Sequence, residues 1–290
     1  MANKTKAIFL ALAAAFLYSL SAPLSKMLMT QFSPSYMAGL LYLGAGLGMI
    51  PLCLSEKSAS RKPVPDTRKI TRQDFPYIAL MVLFDVAAPI LLMLSLSRVP
   101  ASNISLINNF EIAATSLIAF YIFKEKISKR LWLGIFLVSA AGFILSFEVK
   151  ESLSFSPYSV FAFLACIIWG FENNCTKKLS ECNPSKIVII KGLGSGSGAI
   201  LVALIAGEKF HFSALIIPAL LLGFFSYGLS VFTYIRAQRF LGAAKTSAYY
   251  SINPFIGSLL SVVLYREFPG FTFCLAFLIM ALGTWIITRL

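Results

Sequence analysis

Runs of about 20 mostly apolar residues recur along the whole chain, and that is the length an α-helix needs to cross the hydrocarbon core of a bilayer. Reading the apolar windows and the polar breaks between them predicts ten spans, at about 7–29, 35–54, 75–97, 101–123, 131–147, 157–178, 187–206, 213–235, 244–264 and 270–288. Together they use nearly all of the 290 residues and leave little for a soluble domain. Hydrophobic residues make up 58% and charged residues 13%, against roughly 45–50% and about 25% in ordinary soluble domains, which excludes a water-soluble globular protein. A membrane β-barrel needs short alternating segments instead of long continuous ones. The expected class is therefore an all-α integral membrane protein, in which helices satisfy every backbone group within lipid.

Basic residues collect on the cytoplasmic side of membrane proteins, so their distribution sets the orientation. Sorting all 25 Lys and Arg by connector puts eighteen on one side, including Lys4, Lys6, Arg68, Lys69, Lys124, Lys126, Lys177, Lys178, Arg239 and Arg289. Four fall on the other, Arg98, Lys150, Lys209 and Arg266, while Lys26, Lys191 and Arg236 are read as lying near span ends. Both termini are thus expected in the cytoplasm, in the plasma membrane of a bacterium. The net charge of +13 is explained as solvated or headgroup-facing charge, with no nucleic-acid partner. Lys4 and Lys6 precede an apolar run that is too long for a signal peptide and reads as the first span. The five cysteines, an odd number without metal-ligand spacing, read as reduced thiols.

Division near residue 150 leaves five spans on each side, and an odd number turns the second half upside down relative to the first. The expected units are residues 1–148 and 152–290. Tyr18, Ser19 and Lys26 stand at one offset from Trp169, Gly170 and Lys177, and Ser105, Glu111 and Glu125 at another from Ser247, Asn253 and Glu267. Inverted five-helix repeats enclosing a mid-membrane site are a common construction for secondary transporters.

The Tyr18-Ser19 and Trp169-Gly170 pairs, with the helix ends Phe123-Lys124-Glu125 and Tyr265-Arg266-Glu267, resemble the EamA-type transporters of the drug/metabolite transporter superfamily. The resemblance covers essentially the full length. It implies a basket of inverted four-helix walls with the last helix of each half peripheral, and alternating access to a central cavity for export of small metabolites. It does not supply a substrate.

Ionisable groups at membrane depth are costly and tend to face a cavity or a partner. Glu111, Asp85 and Glu172 lie well inside spans 4, 3 and 6. Helical spacing aligns Asn108, Glu111 and Thr115 on one face, and Trp169, Glu172 and Thr176 on another with Asn173 and Asn174 beside it. Span 9 groups Thr246, Tyr249, Tyr250, Asn253 and Gly257, span 8 groups Tyr227, Ser230, Tyr234 and Gln238, and span 1 groups Tyr18, Ser21 and Ser25. These five faces are expected to converge on one polar, aromatic chamber. Glu111 and Glu172 are the first candidates for a substrate or proton site, with Asp85 a third proton-coupling candidate, because a carboxyl in low dielectric can exchange a proton for a cation. The competing reading makes each acid an interhelical hydrogen bond. For Asp85, Pro89 one turn later offers a second alternative, in which the acid only satisfies a kinked backbone.

Asn108, Asn173, Asn253, Trp169, Tyr18, Tyr227, Tyr249 and Tyr250 complete the expected substrate-binding set, although tyrosines also anchor spans at the interface. Lys245 stands where it could attract an anion or snorkel to headgroups. Asn253-Pro254 reads as a hinge or as a tolerated membrane proline. Gly192, Gly194, Gly196 and Gly198 sit inside an apolar helix with no phosphate-loop context, so they read as a close-packing stripe. His211 is assigned no role. The expected function is secondary transport of a small cationic or zwitterionic metabolite or drug, with protons and lipids as partners, no cofactor, no metal and no catalytic residues. A channel or facilitator, and less readily a lipid-modifying enzyme, are the alternatives.

Overall fold

A computed structural model describes residues 2–59, 67–122, 124, 128–145, 147–149, 153–155, 157–210, 213–241, 246, 249–250, 252–266 and 270–288. The helices are α1 (Ala2–Ser19), α2 (Ser21–Leu28), α3 (Pro34–Ala59), α4 (Phe75–Leu96), α5 (Ala101–Ile107), α6 (Phe110–Tyr121) and α7 (Lys129–Leu145). After a short antiparallel ribbon of β1 (Phe147–Val149) and β2 (Leu153–Phe155), which the all-helical expectation lacks, come α8 (Pro157–Leu179), α9 (Pro184–Ile205), α10 (Ile216–Gly223), α11 (Ser230–Leu241), α12 (Asn253–Tyr265) and α13 (Phe271–Thr288). Among the described residues six helical stretches are long and apolar enough to cross a membrane: Thr5–Leu28, Pro34–Ser55, Arg72–Leu96, Asn103–Tyr121, Pro184–Ile205 and Ile216–Leu241. Shorter apolar helices run over Phe255–Tyr265 and Phe271–Ile286. The polar run from Glu172 to Lys178 keeps α8 out of the apolar set despite its length.

Four expected spans are interrupted rather than continuous. Span 1 breaks at Leu20, where Pro23 has no N–H to give the Ser19 carbonyl. Span 4 breaks at Asn108-Asn109, where the Glu111 and Ile112 N–H groups bond three residues back, to Asn108 and Asn109. Span 8 widens into a π-helical turn over Phe224–Leu229, and the helix that closes span 9 starts at Asn253 with Pro254 in its first turn.

The most extensive helix contact joins α3 to α9, and it depends on missing side chains. A Cβ on Gly192 would lie 2.3 Å from the Gly46 nitrogen, and one on Gly196 would lie 2.7 Å from the Leu43 nitrogen. On its other side α3 meets α10, where a Cβ on Gly223 would fall 2.0 Å from the Leu41 carbonyl oxygen. Large contacts also join α4 to α8, α1 to α11, α7 to α13, α6 to α8 and α5 to α12. Met37, Leu41, Leu92, Met93, Leu96 and Ile104 are fully buried between them. Phe9, Phe16, Leu83, Phe136, Val263 and Phe271 stay exposed on the outer surface, as side chains that meet lipid would.

Polar clamps hold the connectors. Arg68 donates to both oxygens of Asp74, each at 2.7 Å, and to Glu181 at 3.2 Å, while its N–H bonds the Glu181 carbonyl. Burial raises the nearby Cys182 thiol above its ordinary range, so it stays protonated, and all five cysteines are free. At the other end, Glu208 accepts from the Ser33 hydroxyl at 2.5 Å and from the N–H groups of Ser35 and Tyr36 at 3.4 and 3.2 Å. It thereby caps the open first turn of α3. Replacing Glu208 with Ala is expected to cost about 1 kcal/mol, as loss of an N-cap typically does. Thermal unfolding in detergent checks this, and an unchanged midpoint would show that the cap does not hold the helix.

Candidate functional site

Side chains from seven of the expected spans enclose a chamber with about 480 Å³ of empty space, its open mouth included. Its lining includes Tyr18 from α1, Tyr42 from α3, Glu111 from α6, Lys191 from α9, and Trp169, Glu172, Asn173 and Thr176 from α8. Tyr227 comes from the π-helical turn, Val231 and Tyr234 from α11, and Tyr250 from the stretch before α12. The interrupted spans 1, 4, 8 and 9 all contribute. A break in a helix re-aims the side chains beside it, and at membrane depth such irregular backbone is tolerated where it borders a cavity.

The aromatic rings contact one another around Tyr18. Its ring centroid lies 5.5 Å from that of Tyr227, 5.7 Å from Tyr250 and 6.4 Å from Trp169. Tyr42 stands 5.0 Å from Tyr227, and Tyr234 stands 4.9 Å from Tyr250. Ser21 donates to the Tyr227 hydroxyl at 3.1 Å. Such a shell offers electron-rich ring faces, which attract an organic cation by electrostatics as well as by contact.

The acids divide into two groups. Glu111 accepts from the Asn173 amide at 2.7 Å, and the same amide reaches the Thr115 hydroxyl at 3.3 Å. Asp85 and Glu172 instead share the ammonium of Lys191, at 3.0 and 2.9 Å. Tyr42 donates to the other Asp85 oxygen at 2.8 Å, and Thr176 donates to Glu172. All three members of the triad are buried, so each charge depends on the others for compensation.

Of the residues expected to bind substrate, Glu111, Glu172, Trp169, Asn173, Tyr18, Tyr227 and Tyr250 line the chamber. Asn108 and Asn253 are buried outside that lining, and Tyr249 is partly buried and also outside it. Asp85 is completely buried and reaches the site through Tyr42 and Lys191. Its side chain is thus engaged by two other helices, which explains its place better than service to the backbone near Pro89. Lys245, Glu125, Glu267, Ser247 and His211 lie outside the described residues.

Lys191 corrects the sequence reading most. It was expected near a span end, but α9 already starts at Pro184, which carries Lys191 about 10 Å into the helix at 1.5 Å per residue. That start was legible in the sequence, in the N-cap and proline pair Asn183-Pro184, whose side-chain oxygen accepts from the Lys186 N–H at 3.1 Å. Tyr42 was also missed, because an apolar span rich in glycine gives no sign of which tyrosine meets an acid. Among the described residues no group of three His, Cys, Asp or Glu is placed to hold a metal ion.

Comparisons with known proteins agree with this architecture. A family model described as the EamA-like transporter family matches residues 5–147 and again residues 156–289. An uncharacterized transporter of Methanothermobacter thermautotrophicus is 25% identical over 268 residues, spanning 88% of this chain and 78% of the relative. One protein of known crystal structure superposes with a TM-score of 0.73 at 15% identity, covering 98% of this chain and 96% of that one, which speaks to the fold alone. With both parts of its length matched, the chain belongs to the EamA-like transporter family and is a multi-pass membrane transporter.

Proposed function

We propose that the protein is a secondary transporter that exports a small cationic or zwitterionic molecule by alternating access, exchanging it for a proton at Glu111. The observation that carries this reading is the state of Glu111. It lines an aromatic chamber, its amide partner Asn173 is neutral, and among the described residues it makes no ion pair. Counting Asp85 and Glu172 against Lys191, acid exceeds base around the chamber, which favours a positively charged ligand. A protonated Glu111 would release its proton to water as the ligand's cationic group arrives, and take one up again on the opposite face when the ligand leaves.

Alternating access fits a chain built from two five-helix halves, residues 1–148 and 152–290, with opposite orientation in the membrane. Three features support that division. The family model matches twice. Helix contacts pair elements that would correspond under exchange of the halves, α3 with α9, α5 with α12 and α7 with α13, while α4 with α8 mirrors α11 with α1. Lys124 and Arg266, which follow α6 and α12, are both left-handed, at φ 55° and 50°, and stand at the same offset as Glu111 and Asn253. The basic bias of the connectors supports cytoplasmic termini, and a bacterial inner membrane is the location we assign.

Counterflow in proteoliposomes tests the transport reading. Vesicles loaded with unlabelled benzyltrimethylammonium, a permanent aromatic cation, are expected to accelerate uptake of the labelled compound, with saturation. Uptake that rises linearly and ignores the loaded compound would indicate a channel instead.

A further inference from the structure

The geometry points to Lys191 as the residue that sets the ligand's charge: its ammonium fills one of two cation positions at the chamber and leaves the other, at Glu111, for a ligand with a single positive charge. This rests on the reading of the chamber as a site for organic cations.

The first position lies between Asp85 and Glu172, where the Lys191 nitrogen is 3.0 and 2.9 Å from a carboxylate oxygen of each. Their remaining polar partners, Tyr42 on Asp85 and Thr176 on Glu172, are hydroxyl donors that turn the carboxylates toward the ammonium. The second position is the Glu111 carboxylate, which a neutral amide orients and which lines the chamber together with Tyr18, Tyr250 and Trp169. A monocation entering this space meets one carboxylate free of a cationic partner among the described residues. A dication needs a second, and the chain's own lysine holds it.

Lys191 is not a basic side chain reaching for the membrane surface. Only 8% of it is exposed, and the backbone that carries it packs closely against α3. Gly192 and Gly196 press α9 against Gly46 and Leu43 without room for a Cβ, and α3 in turn supplies the Tyr42 hydroxyl that holds Asp85. The other titratable groups that interact with Glu172 are Glu111, Tyr42 and Cys175, none of them cationic at neutral pH. Among the described residues lining the chamber, Lys191 alone carries positive charge.

The test compares two probes in proteoliposomes, benzyltrimethylammonium as monocation and butane-1,4-diamine as dication. Wild type is expected to prefer the monocation. Lys191→Ala should move the ratio toward the diamine by about tenfold or more, because selectivity is a difference between two affinities and only the dication uses the vacated position. Added propylamine, which supplies the three carbons and the ammonium that the substitution removes, should restore the monocation preference, and Lys191→Arg should retain it. If the lone acids prevent Lys191→Ala from folding, Lys191→Met combined with Asp85→Asn removes one charge of each sign and still frees Glu172. The same shift toward the diamine is then expected. A lysine with only a structural role would lower both rates together and leave the ratio unchanged, and that result would overturn the inference while the cation reading stands. Failure of wild type to carry either probe would overturn both.

Discussion

Replacing Glu111 with Gln is expected to lower transport by about 30-fold or more, since removing one partner of a desolvated charge pair costs about 2–5 kcal/mol. The substitution keeps the size of the side chain and an oxygen for the Asn173 amide, which donates at 2.7 Å, so the helix contacts have no reason to change. Only the exchangeable proton and the negative charge are lost. Initial uptake rates in proteoliposomes, with size-exclusion profiles to establish folding, give the comparison. A folded variant with wild-type rates would remove Glu111 from the transport step and leave it as a helix-bridging hydrogen bond.

Gly223→Ala is expected to have the largest effect on stability. Its new methyl group would sit 2.0 Å from the Leu41 carbonyl oxygen and 2.7 Å from the Leu41 carbonyl and α carbons, all of them backbone atoms that cannot rotate away. The α3 and α10 helices must then separate, at a cost of about 3 kcal/mol, the upper end for overpacking a well-filled interior. Gly270→Ala is the control, because none of the described residues places an atom within 4 Å of its Cβ position. That change is expected to stay within about 0.5 kcal/mol, as exposed substitutions do. Thermal unfolding of the two variants in detergent should therefore differ widely. Equal midpoints would mean that α3 and α10 do not approach as closely as described.

The sequence reveals which faces turn inward more readily than how the backbone delivers them. Tyr18, Glu111, Trp169, Glu172, Tyr227, Tyr234 and Tyr250 lie on faces that helical periodicity singles out, and they meet in one chamber. Periodicity assumes an unbroken helix, however, and the interruptions at Leu20, Asn108-Asn109 and Phe224–Leu229 escape it. Asn108 illustrates the consequence. An ideal helix places it on the Glu111 face, whereas the tight turn at Asn108-Asn109 leaves it outside the chamber lining, with its side-chain oxygen buried and without a hydrogen-bond partner among the described residues.

Lys191 and Tyr42 escape for a different reason. Each matters through a helix distant in sequence, and a single span cannot show that a lysine two turns inside it will meet acids from two others. The glycines did announce close packing, because small residues four apart have few other uses in an apolar helix. What they could not announce was the partner, and it is the α3 face at Leu43 and Gly46 that fixes Lys191 in depth.

Exchange of a proton for an organic cation at Glu111 is tested most directly by recording the internal pH of proteoliposomes while benzyltrimethylammonium is added outside. Because this ligand has no proton of its own to release, inward movement through wild type should draw protons out and turn the interior alkaline, and Glu111→Gln should abolish the change. Uptake of the cation by wild type with no change in internal pH would contradict the exchange.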